Sequence, residues 1–151
     1  MQLEYIVIGA TLLFFIAVVL FILNKKSALA KLAPDNTPKK INIIQMKWGP
    51  LAVYHNKGTQ NHPPLLLLHG LGSSIYSWRF IIDQLQDYNV HALDLPGFGQ
   101  SIMDKHLDYG LDHQAERILD YIYREKISSS YLVGCSMGGT LALWLSYKYP
   151  E

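Results

Sequence analysis

Residues 131–145 have the sequence YLVGCSMGGTLALWL, and this stretch decides the fold. Its first part is a short apolar run typical of a buried strand, and its last part is long and apolar enough for a core helix. Between them lies the pattern Gly-x-Ser-x-Gly, which indicates a reactive serine only in such a strand-to-helix context. A sharp turn there strains the backbone of Ser136 and lifts its hydroxyl above the sheet. We therefore expect Ser136 to be a nucleophile, with Gly134 and Gly138 at positions where a Cβ atom would collide with the neighbouring strand and helix.

Two backbone N–H groups are candidates for binding a negatively charged oxygen beside this serine. Met137 begins the predicted helix, where unpaired N–H groups and the helix dipole favour an anion. The other candidate comes from the sequence His-Gly-Leu-Gly at residues 69–72, directly after four consecutive leucines. Because the glycines let this loop fold back over the sheet edge, we expect the Leu71 N–H to be the second donor.

A third motif, Asp-Leu-Pro-Gly-Phe-Gly-Gln-Ser at residues 94–101, follows the next predicted strand. Together the three motifs resemble the α/β-hydrolase superfamily, whose usual sequence is HG-x-G, then D-x-P-G-x-G-x-S, then G-x-S-x-G-G. The resemblance covers residues 41–151 and is closest to the esterase, lipase and C–C-bond hydrolase branches. It implies a serine hydrolase, most simply a carboxylic-ester hydrolase, that acts on a small-molecule ester or lipid substrate and needs no cofactor. A serine at position 136 disfavours the dehalogenase and epoxide-hydrolase branches, which use aspartate.

Short apolar runs alternate with helical patterns from residue 41 onward. The predicted strands are residues 41–47, 51–55, 65–68, 89–95 and 131–135, and the predicted helices are residues 76–86, 111–126 and 138–149. This alternation implies parallel strand pairs with right-handed crossovers, and the run of four leucines has the composition of a strand buried on both faces. We predict the α/β-hydrolase fold, with a mostly parallel sheet and helices on both faces, ending after the helix that follows the nucleophile.

Three side chains near the motifs receive structural interpretations. Asp94 precedes Ser136, whereas a triad in this fold has the order Ser, then Asp or Glu, then His; we therefore interpret Asp94 as holding its own loop. We interpret His69 as a residue that shapes its loop and not as the base. Cys135 should point away from Ser136 and into the core. No pair of His or Cys residues has the spacing of metal ligands, so we expect no metal.

The N-terminal segment has the composition of a membrane anchor. Residues 6–23, which begin with Ile6 and end with Leu23, carry no charged side chain. As a helix this run reaches roughly 27 Å, close to the ~30 Å hydrocarbon core of a bilayer. We predict a single transmembrane anchor at residues 1–23, a basic linker at residues 24–40 and a catalytic domain from residue 41. A buried core helix and a cleaved signal peptide are the alternatives; the length of the run disfavours both.

The basic residues around this run predict its orientation. Lysines at positions 25, 26, 31, 39 and 40 follow it, and no Lys or Arg precedes it. Such residues tend to stay on the cytoplasmic side, which places the globular part there; export behind a cleaved or uncleaved signal is the alternative. The single cysteine agrees with a reducing compartment. With 13 Lys plus Arg against 12 Asp plus Glu, the charge gives no indication of a nucleic-acid partner.

The order of Ser136 and the histidines along the sequence predicts that this chain is part of a longer enzyme. All six histidines precede Ser136, and 15 residues follow it. A serine hydroxyl needs a base, and the base needs an orienting carboxylate; the resemblance places both after the serine. We expect these 151 residues alone to be nearly inactive. The alternatives are a catalytically inactive, membrane-tethered binding protein of the same fold and a site completed by a second polypeptide.

Overall fold

The structure, a computed structural model, describes residue 38 and residues 40–150. Its strands are β1 (Ile41–Met46), β2 (Gly49–Asn56), β3 (Leu65–Leu68), β4 (Val90–Leu93) and β5 (Tyr131–Gly134). A 3₁₀ turn (Ile75–Trp78) precedes α1 (Arg79–Ile82), and the longer helices are α2 (Leu111–Arg124) and α3 (Met137–Lys148). None of the helices within these residues has the length and apolar character needed to cross a bilayer. The anchor predicted at residues 6–23 lies outside the described residues, as does most of the predicted linker.

The described strands form one sheet in the order β1-β2-β4-β3-β5. β3 pairs in parallel with β4 and with β5, as expected for strands joined by helical connections. β2, however, pairs antiparallel with both β1 and β4. The prediction of a mostly parallel sheet is therefore wrong for this part of the chain, in which the sheet is mixed. The short turn between β1 and β2 cannot provide the crossover that parallel neighbours need.

The prediction of a single helix at residues 76–86 is also wrong. The chain makes the 3₁₀ turn Ile75–Trp78 and then the single turn of α1. The Asp94 carboxylate, which comes from the far end of β4, accepts a hydrogen bond from the Ile75 N–H at 2.6 Å and fixes the start of the turn. After α1, the Gln84 N–H bonds to the carbonyl three residues earlier, which is again 3₁₀ geometry.

α2 begins at Leu111 as predicted and ends two residues earlier than expected. Lys126 has a φ of 56°, in the left-handed region that ends many helices. The N–H of Ile127 then bonds to the carbonyl oxygen of Ile122 at 3.0 Å, so a carbonyl of the last helical turn keeps a partner.

The four-leucine strand β3 is buried on both faces, as its composition predicts. Leu66 and Leu68 pack on the face covered by α2 and α3, and Leu67 packs on the face covered by the 3₁₀ turn and α1. The first face also contains Leu51, Val53, Leu93, Leu95, Ala115, Ile118, Tyr121, Leu141 and Leu145, and the second contains Tyr54, Ile75, Trp78, Ile82, Val90 and Ala92. The prediction of helices on both faces of the sheet is therefore confirmed.

One buried polar contact joins the sheet to α2. His91 of β4 is 3% exposed, and its Nδ1 lies 2.6 Å from the hydroxyl of Tyr121. On its other side His91 stacks on the exposed ring of His55 from β2, with ring centroids 4.2 Å apart. Burial, and to a smaller degree the neighbouring His55, lowers the pKa of His91 from 6.5 to about 4. His91 is therefore neutral in the folded chain at pH 7.

The burial of His91 makes the folded state sensitive to acid. Between about pH 6.5 and pH 4 the unfolded chain binds a proton at His91 that the folded chain does not bind. Stability is therefore complete above this window and falls by up to about 3 kcal/mol as the pH drops through it. We expect His91→Gln to remove most of this loss, and His55→Gln, the matched control, to remove little of it. Urea unfolding between pH 7 and pH 4 measures the difference, and an unchanged pH dependence in His91→Gln would contradict the assignment.

Candidate active site

Ser136 lies at the turn between β5 and α3, where strand and helix are separated by two residues. Its backbone has φ 53° and ψ −119°, a conformation that side-chain-bearing residues rarely adopt. The turn is held by backbone hydrogen bonds from the Cys135 N–H to the Leu68 carbonyl (3.1 Å) and from the Gly138 N–H to the Cys135 carbonyl (3.0 Å). Ser136 is exposed. The sequence pattern thus leads to the strained, outward-facing turn expected of a nucleophile elbow.

The two glycines around Ser136 are required by close backbone contacts. A Cβ atom on Gly138 would collide with the carbonyl oxygen of Leu68 and lie 2.6 Å from that of His69. A Cβ atom on Gly134 would collide with the carbonyl of Gly138. β5 and α3 can therefore meet at this short turn only where neither residue carries a side chain.

Cys135 does not lie in the core, contrary to the prediction. Its side chain is exposed. Side chains alternate along a strand, and this alternation predicts only that Cys135 and Ser136 point in different directions. Whether the Cys135 side chain is buried also depends on which strands lie beside β5. Within the described sheet β5 is an outer strand whose pairing partner is β3, so one of its flanks is open.

The loop that follows β3 lies against Ser136. A Cβ atom on Gly70 would lie 3.3 Å from the Ser136 Cβ and 3.9 Å from its Oγ. Neither the Leu71 N–H nor the Met137 N–H donates to another described backbone carbonyl. The two N–H groups predicted as oxyanion donors therefore belong to segments that meet at Ser136; their catalytic role stays a prediction.

His69 has both ring nitrogens bound to the backbone. Its Nε2 accepts a hydrogen bond from the Leu95 N–H at 2.9 Å, and its Nδ1 lies 2.8 Å from the Gly70 carbonyl oxygen. The side chain is fully buried, and this burial lowers its pKa below the ordinary value, against the opposing effects of Gly70 and Asp94. With both nitrogens occupied, His69 shapes its loop and is not placed to take the proton of Ser136.

Asp94 holds two loops, which agrees with its structural interpretation. One carboxylate oxygen accepts from the Ile75 N–H at 2.6 Å, and the other accepts from the Gln100 N–H at 2.8 Å.

The loop after β4 also contains Ser101, whose role the sequence analysis missed. The Ser101 hydroxyl donates to the Asp94 carbonyl at 2.6 Å and accepts from the Ala52 N–H at 2.8 Å. Its place at the end of the third motif was the signal that could have revealed it.

Gln114 of α2 is a second residue that the sequence analysis missed. It is 2% exposed, and its amide nitrogen donates to the carbonyl of Pro96 at 2.8 Å. This bond fixes the loop after β4 to the first turn of α2. A glutamine on the helix face that packs against the sheet was the available signal, since buried polar side chains need partners.

Across the part of the chain that the structure describes, no three His, Cys, Asp or Glu side chains form a group able to hold a metal ion.

Comparison with known proteins identifies the fold family. The pattern of the alpha/beta hydrolase fold family matches residues 63–151 of the chain. This chain belongs to the α/β-hydrolase family. Among the family's curated members it is 31% identical to Lipase 3 of Moraxella sp. over 113 residues, covering 74% of the chain and 36% of the lipase. It is 38% identical to Epoxide hydrolase 3 of Xenopus tropicalis over 100 residues, covering 65% of the chain and 27% of that protein.

A solved structure of this α/β-hydrolase fold extends the comparison. The crystal structure of a membrane phospholipase A, described as a bacterial virulence factor, matches with a TM-score of 0.70 and 28% identity, covering 97% of this chain and 48% of that one. The chain spans about a third of the length of the curated α/β-hydrolases that it resembles. The family and the fold of the described residues are thereby shown.

Adjacent glycines at the elbow should respond in opposite ways to alanine. In Gly138→Ala the new methyl group meets the Leu68 backbone, which cannot move aside, so we expect a loss of roughly 1–3 kcal/mol or more. In Gly139→Ala the nearest backbone atom would be 3.4 Å away, and alanine favours the helix by up to about 1 kcal/mol. Thermal unfolding of the two variants and the unmodified chain tests this. Equal stability of both variants would contradict the geometry of the elbow.

Proposed function

We propose that this chain is the nucleophile-bearing part of a membrane-anchored serine hydrolase that cleaves carboxylic esters, including lipid esters. The observation that carries the proposal is the backbone of Ser136, strained at φ 53° and ψ −119° between β5 and α3. Such strain persists only where surrounding contacts enforce it, and it is concentrated at functional sites. Here the contacts at Gly134 and Gly138 enforce it, and the result is an exposed hydroxyl beside the Gly70 loop.

The arrangement supports nucleophilic acyl transfer. The Ser136 Oγ would attack the ester carbonyl carbon, its proton would pass to a base, and the carbonyl oxygen would become an oxyanion. The Met137 N–H at the start of α3 and the Leu71 N–H are the proposed donors to that oxyanion. Collapse of this intermediate expels the alcohol and leaves an acyl group on Ser136. Water then releases the acid and restores the serine.

The base and its carboxylate are proposed to lie outside these 151 residues. All six histidines precede Ser136, while the family order places acid and base after the serine. His69, which directly precedes the Gly70 loop beside Ser136, uses both ring nitrogens for backbone contacts. The curated relatives are about three times as long as the span they share with this chain, which leaves room for both groups. Taken alone, these residues should retain only the small rate enhancement that oxyanion binding supplies.

Two features support an ester or lipid ester as the substrate. A serine occupies the nucleophile position, and the lipase of Moraxella sp. and the membrane phospholipase A are among the similar proteins. The similarity to an epoxide hydrolase marks the competing chemistry, for which the family uses an aspartate in place of Ser136. The uncharged run at residues 6–23 supports a substrate at the membrane.

Replacement of Ser136 tests the proposed chemistry. In the full-length protein we expect Ser136→Ala to lower kcat for a p-nitrophenyl ester by about 10⁴-fold or more, because the acyl-enzyme can no longer form. Ser129→Ala, in an exposed turn before β5, is the matched control and should keep the unmodified rate. Ester hydrolysis that survives in Ser136→Ala would overturn the proposal. A full-length protein that binds esters without hydrolysing them would favour the catalytically inactive binding protein.

The membrane topology is a separate proposal: residues 6–23 span the bilayer, with the N-terminus outside and the domain from residue 41 in the cytoplasm. The lysines that follow the run support it. Because Cys135 is exposed, it must first be replaced by serine. Single cysteines at Gln2 and at Asn61 are then treated in intact cells with a thiol reagent that cannot cross membranes. We expect labelling at position 2 only; labelling at position 61 would reverse the orientation.

A further inference from the structure

We propose that His69 is a positioning residue, which holds the Gly70 carbonyl so that the Leu71 N–H faces the space in front of Ser136. The inference deepens the proposed function and rests on it, since an oxyanion donor matters only if Ser136 attacks a carbonyl. The His69 tautomer with its proton on Nδ1 would fix the orientation of the peptide group between Gly70 and Leu71. It follows from three contacts around the loop after β3.

The first contact fixes the tautomer of His69. The backbone N–H of Leu95 can only donate, so the His69 Nε2, 2.9 Å away, must be the acceptor. A neutral imidazole with an accepting Nε2 carries its proton on Nδ1. The Gly70 carbonyl oxygen, 2.8 Å from Nδ1, can only accept, so it receives that proton in a hydrogen bond. Both partners therefore require the same tautomer.

The second contact fixes the peptide plane between Gly70 and Leu71. The Gly70 carbonyl oxygen also accepts from the Ser73 N–H at 3.2 Å, so two donors hold it. The described chain contains no cis peptide bond. In a trans peptide the C=O and the following N–H point in opposite directions, so the Leu71 N–H points away from His69 and from the Ser73 turn.

The third contact locates this plane beside the nucleophile. A Cβ atom added to Gly70 would lie 3.3 Å from the Ser136 Cβ and 3.3 Å from the Cys135 carbonyl oxygen, so this part of the loop lies directly against the elbow. Rotation of the plane would move the Leu71 N–H away from the position of a bound oxyanion. A displacement of about 1 Å in such a group can cost on the order of 100-fold in rate.

The surroundings of His69 keep it in the required form. A proton added at Nε2 would face the Leu95 N–H, and Leu95 is itself fully buried. Burial holds the pKa of His69 below its usual value, although the hydrogen bond to Gly70 and the Asp94 carboxylate act in the opposite direction. Phe98, whose ring meets His69 edge-on at 5.6 Å, adds no charge. The imidazole is thus neutral at pH 7 and has one tautomer that suits both neighbours.

Two substitutions of His69 distinguish a role in positioning the Leu71 N–H from a role in stabilising the fold. The amide of an asparagine at position 69 can reach the place of Nδ1 and donate to the Gly70 carbonyl. The longer glutamine can reach the place of Nε2 and accept from the Leu95 N–H, but leaves the Gly70 carbonyl without this donor. In the full-length protein we expect His69→Asn to keep kcat within about tenfold, and His69→Gln to lower kcat by roughly 10–100-fold with KM little changed.

Stability is measured on the same variants, because it should follow the opposite order. His69→Gln satisfies the buried Leu95 N–H and should be the more stable of the two, whereas His69→Asn leaves that N–H unpaired. A purely structural role would make activity follow stability, with His69→Gln the more active variant, and this result would overturn the inference. Full activity of His69→Gln while Ser136→Ala is inactive would overturn the inference alone. Activity that survives in Ser136→Ala would instead overturn the proposed function.

A spectroscopic measurement needs neither folding of a variant nor catalysis. Two-bond ¹H–¹⁵N correlation spectra of the ¹⁵N-histidine-labelled protein distinguish the two neutral tautomers from the imidazolium. At pH 7 we expect His69 to be neutral with its proton on Nδ1. A proton on Nε2, or a charged ring at this pH, would show that the Gly70 carbonyl is not held by His69 and would overturn the inference.

Discussion

The close approach of two backbones, α3 at Gly138 and the end of β3 at Leu68, is the constraint on which the rest of the site depends. Because no Cβ atom lies between them, α3 starts almost directly after β5 and its N-terminus reaches the end of the sheet. Ser136 is the residue left in the turn, and it takes the φ 53° that the turn imposes. A side chain at Gly138 would push the helix outward, and the strain that raises the Ser136 hydroxyl would be released.

Buried polar groups at the strand ends arrange the loops around this turn. His69, Asp94 and Ser101 are each less than 10% exposed, and each bonds to backbone groups of a different segment. Such groups are costly to bury unless they are paired, so every one of them restricts the loops to the conformation that pairs it. The loop after β3, which lies against Ser136, is in this way tied to the loop after β4. The conformation of these loops is therefore fixed without a substrate, which is the preorganisation that electrostatic catalysis requires.

Local sequence patterns predicted the features that depend on local chemistry. A motif of a few residues marks the four leucines of β3 and the glycines of the elbow. It also marks the loop-holding roles of His69, which bonds to Gly70, and of Asp94, which bonds to Gln100. The features that failed depend on distant residues. In place of the helix predicted at residues 76–86 the chain has a 3₁₀ turn and one turn of α-helix, and the start of the 3₁₀ turn is fixed by the distant Asp94 carboxylate. The antiparallel pairing of β2 with β4 and the exposure of Cys135 depend on strand order, which periodicity along one strand does not encode.

Covalent labelling of the nucleophile tests the central claim most directly. The full-length protein is treated with a fluorophosphonate, digested, and mapped by mass spectrometry to find the modified serine. Attack by an activated serine hydroxyl on phosphorus leaves a stable adduct, so the modified residue is the nucleophile itself. We predict a single phosphonylated site at Ser136, on the peptide that joins β5 to α3. An adduct on another serine such as Ser73 or Ser101, or an unmodified Ser136 in a protein that hydrolyses esters, would contradict this assignment.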